Sequence, residues 1–149
     1  AMTTNEQRSQ ALSAAGERRV ELKEAVSKTE RAAASPTAMP SWRDYVLSEL
    51  EGLRIALDQH VEEVEGAEGL FAELTELSPR LIHKIHAVRD EHPELCQGVG
   101  DAIELARGDA PAAAVRQAVL DVLFLIVRHR QHGADLVFDG YNIDIGGGG

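Results

Sequence analysis

Trp42–Val64 reads WRDYVLSELEGLRIALDQHVEEV, and the spacing of its apolar residues decides the fold. At about 100° per residue, Trp42, Val46, Leu50, Leu53, Leu57, His60 and Val64 share one face. That stripe marks an amphipathic helix with one face toward a core. Two more segments follow the same rule. Leu81, Ile85, Val88, His92, Leu95 and Val99 form the stripe of Leu81–Val99, and Val115, Val119, Val122, Ile126, His129, Gly133 and Val137 that of Val115–Val137. Each stripe carries one histidine. A buried imidazole is costly unless its nitrogens find partners, and side chains from facing helices of a bundle core are the usual material of metal sites.

Outward from these helices, the chain has 149 residues, enough for one domain with a real core. It is 44% hydrophobic and 27% charged, as a soluble globular protein would be. Twenty-five acids against 15 bases leave a net charge of −10. That sign excludes nucleic acid and an anionic membrane surface as natural partners. The single cysteine, Cys96, has no internal disulfide partner, which fits a reducing, cytoplasmic compartment. Cys96 flanks the stripe beside His92 and reads as a small core residue. The first 40 residues hold no apolar run of the kind found in a leader. The longest strongly apolar run, Val122–Val127, falls far short of the roughly 20 residues that cross a bilayer. Ala1, ahead of Met2, is expected to lie outside the fold.

Along the chain, residues 1–40 form a charged arm and a Pro-containing linker, residues 41–140 the helical bundle, and residues 141–149 a Gly-rich tail. Residues 2–34 favour helix by propensity, but their apolar content is thin: Leu12, Val20, Leu22 and Val26. The expectation is a weakly packed first helix or an exposed arm, ordered only by a partner or a second copy of the chain. Pro36 and Pro40 end that helix, with Ser41 as the cap of the next. Gly66 and Gly69 mark a turn before a short helix, Leu70–Leu77, and Ser78-Pro79 restarts the chain. Pro93 should break or kink the next helix beside His92. The last helix spans about residues 112–138, followed by a non-helical tail from Tyr141. With no alternation of period two, the reading is all-α: an antiparallel helical bundle.

The candidate ligands follow from phase. His60, His92 and His129 can supply three imidazoles to one metal; the competing reading is three separate core histidines, each bonded to a carbonyl or neighbouring side chain. Glu63, on the edge of the His60 stripe, is the best acid candidate, with Glu49 on the same side. His132, one turn from His129, is a substitute ligand. His83 faces away from the core and His86 lies at its edge. Most other acids read as solvated helix faces. No phosphate-binding glycine loop or nucleophile elbow is present, so an enzyme ranks third among the function classes.

Three stretches carry a resemblance to a family: residues 53–60 (LRIALDQH), 88–95 (VRDEHPEL) and 128–136 (RHRQHGADL). They resemble the second, third and fourth helices of the hemerythrin-like, or HHE cation-binding, domains, in a form reminiscent of actinobacterial members. The resemblance spans residues 42–138. It implies a four-helix bundle with a non-haem iron centre handling oxygen, peroxide, nitric oxide or iron, and His60, His92 and His129 match ligand positions. The family's acid positions fall at Val64 and Gly133, and its first-helix histidine has no counterpart in residues 2–41. With no bridging acids, one iron or other divalent metal is expected, rather than two. The function implied is metal binding, with redox or small-gas sensing. The alternative is a metal-free interaction module, with a protein partner or a homodimer engaged through its acidic surface, its arm and the tail.

Overall fold

The computed structural model describes residues 5–143, with side chains from residue 10 to residue 141. Among the described residues every regular element is helical. They are α1 (Asn5–Ala34), α2 (Trp42–Glu65), α3 (Leu70–Leu77), α4 (Ile82–Arg89), α5 (Glu91–Arg107) and α6 (Ala112–Val137), with a 3₁₀ turn at Pro79–Leu81 and a π-helical turn at Phe138–Ile143. Helix α1 packs on α2, α2 on α5, α5 on α6, and α6 back on α1. The four long helices thus form a closed ring, and α3 with α4 bridges α2 to α5 across one end. Among the described residues no helix is long and apolar enough to cross a membrane.

Local chemistry explains the boundaries. Gly69 opens α3 where a Cβ would lie 2.2 Å from the backbone oxygen of Glu63, so only glycine fits that turn. Pro93 falls at the third position of α5, and the break lies at Asp90, three residues upstream. Proline there has no N–H for the Arg89 carbonyl and crowds it. The chain therefore separates α4 from α5 instead of running one helix through. Ser41 precedes α2, yet its side chain makes no capping bond; its carbonyl accepts from the Tyr45 N–H.

The core comes in two parts. The larger fills the bundle and includes Leu22, Leu50, Leu57, Leu95, Ile103 and Ile126. The smaller lies under the bridging helices and includes Ala15, Val64, Phe71, Leu74, Val88 and Leu136. A polar residue stands where the chain passes from one to the other: Arg19 on α1, His60 on α2, His92 at the start of α5 between Val88 of α4 and Leu95, and His129 on α6.

Two expectations are corrected. The N-terminal segment is not an exposed arm, since α1 is a wall of the bundle. Its inward stripe is mostly small: Ala11, Ala15, Ala32 and Ala33 are buried alongside Leu22, Val26 and Thr29. Small residues let helices approach closely, and polar ties supply what apolar bulk does not. The Thr29 hydroxyl donates to the carbonyls of Ala25 and Glu49, linking α1 to α2. Arg116 of α6 donates to the carbonyls of Ala33 and Ser35 and stacks over Trp42. Nor is the chain non-helical from Tyr141 on, since the π-helical turn runs to Ile143. Gly140 is buried, the Ser78 hydroxyl donates to its carbonyl, and the Tyr141 hydroxyl donates to Glu73. The remainder of the predicted tail, residues 144–149, lies outside the described residues.

Leu22 has no exposed surface. Leu22→Ala should therefore destabilise the protein by about 2–5 kcal/mol in chemical denaturation. An arm that packs on nothing would give a change below about 0.5 kcal/mol.

Candidate metal centre

His60 lies near the end of α2, His92 in the first turn of α5 and His129 in the second half of α6. The up-and-down path brings these three levels to one end of the bundle, beneath α3. All three side chains are buried, at 7%, 2% and 3% exposure. One ring nitrogen from each lies within 4.8 Å of the others. Ring centroids are 5.4 Å apart for His60 and His92, 5.6 Å for His60 and His129, and 4.8 Å for His92 and His129, all edge-on. Phe71 stacks on His92 at 5.8 Å and closes the layer from α3.

Two carboxylates orient the rings. His92 Nδ1 lies 2.5 Å from Glu65 Oε2, and His129 Nδ1 lies 2.7 Å from Glu91 Oε1. The other oxygen of Glu91 lies 2.6 Å from His132 Nδ1. An ionised carboxylate only accepts, so each Nδ1 donates and the lone pair of His92 and His129 resides on Nε2. Nε2 of His92 is buried without a hydrogen-bond partner, as is Nδ1 of His60. Orphaned polar atoms of this kind are rare in a native interior and call for an explanation.

The electrostatics favour the neutral form of His60 and His129. Burial, then the neighbouring His92 and His129, push His60 down to about 3. Burial also lowers His129, against the opposing pull of its bond to Glu91. Burial raises Glu91, but its bonds to His129 and His132 outweigh this and hold it below the usual carboxylate range. Neutral imidazoles with carboxylates on their outer nitrogens are the form in which histidine binds metal. The donor set fits one ion. Three neutral rings leave a divalent cation's charge uncompensated, and Glu65 and Glu91 supply two negative charges just behind the rings. Ligands on a tetrahedral ion with bonds of about 2.0–2.1 Å stand about 3.3 Å apart, so the rings would close in modestly around it.

The other candidates fall elsewhere. Glu63 does not join the group. Three residues past His60 it has turned about 60° round α2, and it lines a surface cleft with Arg18, Gln59 and Glu62. His132 is 41% exposed and reaches the layer only through Glu91. His83 and His86 are exposed, and Asp135 accepts from the Gln131 amide on the surface. Cys96 is half-buried, and burial pushes its thiol up, aided by Asp58 and Glu65. Helical phase alone gives Glu65 and Glu91 no role. Both stand off the stripes, but a glutamate is long enough to reach from a helix flank to a ring on the next helix. The available signal was position: Glu65 ends α2 and Glu91 begins α5, at the level of the histidines.

No protein-family model matches this chain, and no curated protein or solved structure does either.

His60 is about 3 when folded against 6.5 ordinarily. Its folded value is the lower one, so the unfolded chain takes up the proton first. The stability is complete above pH 6.5 and is lost as pH falls toward 3, at about 1.4 kcal/mol per pH unit. Between pH 6 and 5, above the range where most carboxylates titrate, the native protein should lose about 1 kcal/mol more than His60→Leu. Denaturation at the two pH values checks this; equal slopes would mean that His60 titrates alike in both states.

Proposed function

We propose that the chain is a metal-binding helical bundle of the hemerythrin-like kind, holding a single ion through His60, His92 and His129. The observation that carries the reading is the layer itself: three buried imidazoles from three helices, nitrogens within 4.8 Å, with the free Nε2 of His92 facing no protein partner. The ring of four long helices with a site at one end is the architecture that the resemblance in residues 42–138 implies. Iron held there would supply one-electron chemistry and an open position for a small ligand, and redox or small-gas sensing is the role such a site would serve. The protein's own part is to favour neutral His60 and His129, to aim Nε2 of His92 and His129 through Glu65 and Glu91, and to exclude bulk water with Phe71.

A second reading, a metal-free interaction module, has one observation in its favour. Leu120, Phe124 and Val127 lie one helical turn apart on the outer face of α6 at 41%, 66% and 49% exposure. A ridge of this kind is what a partner or a second copy would cover.

Metal titration separates the two. Purified protein, stripped and reloaded with Fe(II), Co(II) or Zn(II), should bind one ion per chain, and a hundredfold excess over the dissociation constant should add about 2.7 kcal/mol of stability. His60→Leu, His92→Leu and His129→Leu together should abolish binding while the helical circular-dichroism signal stays, because the apolar stripes sustain the bundle. Two ions per chain would overturn the single-ion reading. A melting temperature indifferent to every metal would leave the interaction module.

A further inference from the structure

The layer has a fourth corner. On α1 the residue between the two parts of the core is Arg19: Ala15 lies one turn before it in the smaller part and Leu22 one turn after it in the larger. Arg130 sits beside His129 on α6, the helix that packs on α1. Both side chains are half-buried, and the Nε atoms of both are buried with no hydrogen-bond partner. Neither guanidinium makes an ion pair among the described residues. In a chain with 25 acids and a net charge of −10, that is a conspicuous omission. Every other oriented charge in the layer is matched: Glu65 faces His92, and Glu91 faces His129 and His132. On the His60 side the two guanidiniums stand together: Arg19 and Arg130 both add to the lowering of His60, after burial and the neighbouring histidines, and Arg19 in turn pulls Arg130 down after the effect of burial.

Two like charges brought together and partly desolvated repel each other, and the arrangement is stable only with a counter-charge. Arginine's fixed fork suits planar or tetrahedral oxyanions, which accept two parallel N–H bonds. Two guanidiniums match an anion with two charges better than a monocarboxylate. We propose that Arg19 and Arg130 form a binding site for a small divalent oxyanion of the phosphate or sulfate class, against His60 at the α1–α6 side of the layer. The site does not depend on a metal at the histidines.

The test uses the full chain, freed of metal and dialysed, at constant ionic strength set with chloride. Inorganic phosphate, sulfate and acetate are titrated separately by calorimetry. Phosphate or sulfate should bind one per chain, at least tenfold more tightly than acetate, and should raise the melting temperature where equal chloride does not. Arg19→Gln and Arg130→Gln should each weaken binding at least tenfold. Arg19→Lys, which keeps the charge and loses the fork, should fall between. Circular dichroism verifies that each variant is folded, and one-to-one metal uptake by the arginine variants would show that the two sites fail or succeed separately. Absence of oxyanion binding, acetate binding as tightly as phosphate, or unchanged affinity in the folded Arg19→Gln Arg130→Gln double variant would overturn the proposal.

Discussion

A layer of buried imidazoles in an otherwise apolar core is the constraint around which the rest of this molecule is arranged. Each ring brings two nitrogens into a place where water cannot serve them, and unmet polar atoms there cost on the order of 1–3 kcal/mol apiece. The chain meets part of that demand with Glu65 and Glu91, placed at helix ends where their carboxylates stay partly hydrated while touching a buried ring. The remaining nitrogens face inward, and their lone pairs are what a cation would take. Splitting the core at this level also explains why the smaller apolar part needs its own cover, α3 and α4, instead of simply continuing the bundle.

The surroundings of the layer are lopsided. Carboxylates stand behind His92 and His129, and guanidiniums stand beside His60. A divalent cation among the rings complements the first side, and an oxyanion at the arginines complements the second. In this view Arg19 places a cation at the α1 corner of the layer, where it works against a second metal. Repulsion from Arg19 and the lack of bridging carboxylates act in the same direction, toward one ion per chain. The cleft of about 10 Å³ by Glu91, Leu95 and His129 has room for about one water beside that ring.

Much of this was legible in the sequence because helical phase is a strong signal where stripes are long. The stripes identify every buried residue of α2 except Ala56 and most of those on α6, but stop short of Ala102, Ile103 and Ala106 on α5, and they put His60, His92 and His129 on the inner face. Helix α1 was misjudged because packing was equated with bulk. Alanine stripes, the Thr29 bond across to Glu49 and the Arg116 clamp on Ala33 and Ser35 leave little trace in hydropathy. Arg19 hid for a related reason: a charged residue at an inward position looks like a gap in the stripe until its neighbours Ala15 and Leu22 are seen to be buried. Glu65 and Glu91 hid because phase locates a Cβ and says little about where a flexible carboxylate ends.

The central claim is that His60 is neutral and that the rings of His92 and His129 are locked in one tautomer by Glu65 and Glu91 before any ion arrives. Long-range ¹H–¹⁵N NMR of the imidazoles in metal-free protein reads protonation and tautomer together. At pH 5 the account predicts a neutral His60, and in the neutral form of His92 and His129 the proton on Nδ1 with a bare Nε2. An imidazolium signal from His60 at that pH, or His92 and His129 carrying their proton on Nε2, would contradict it.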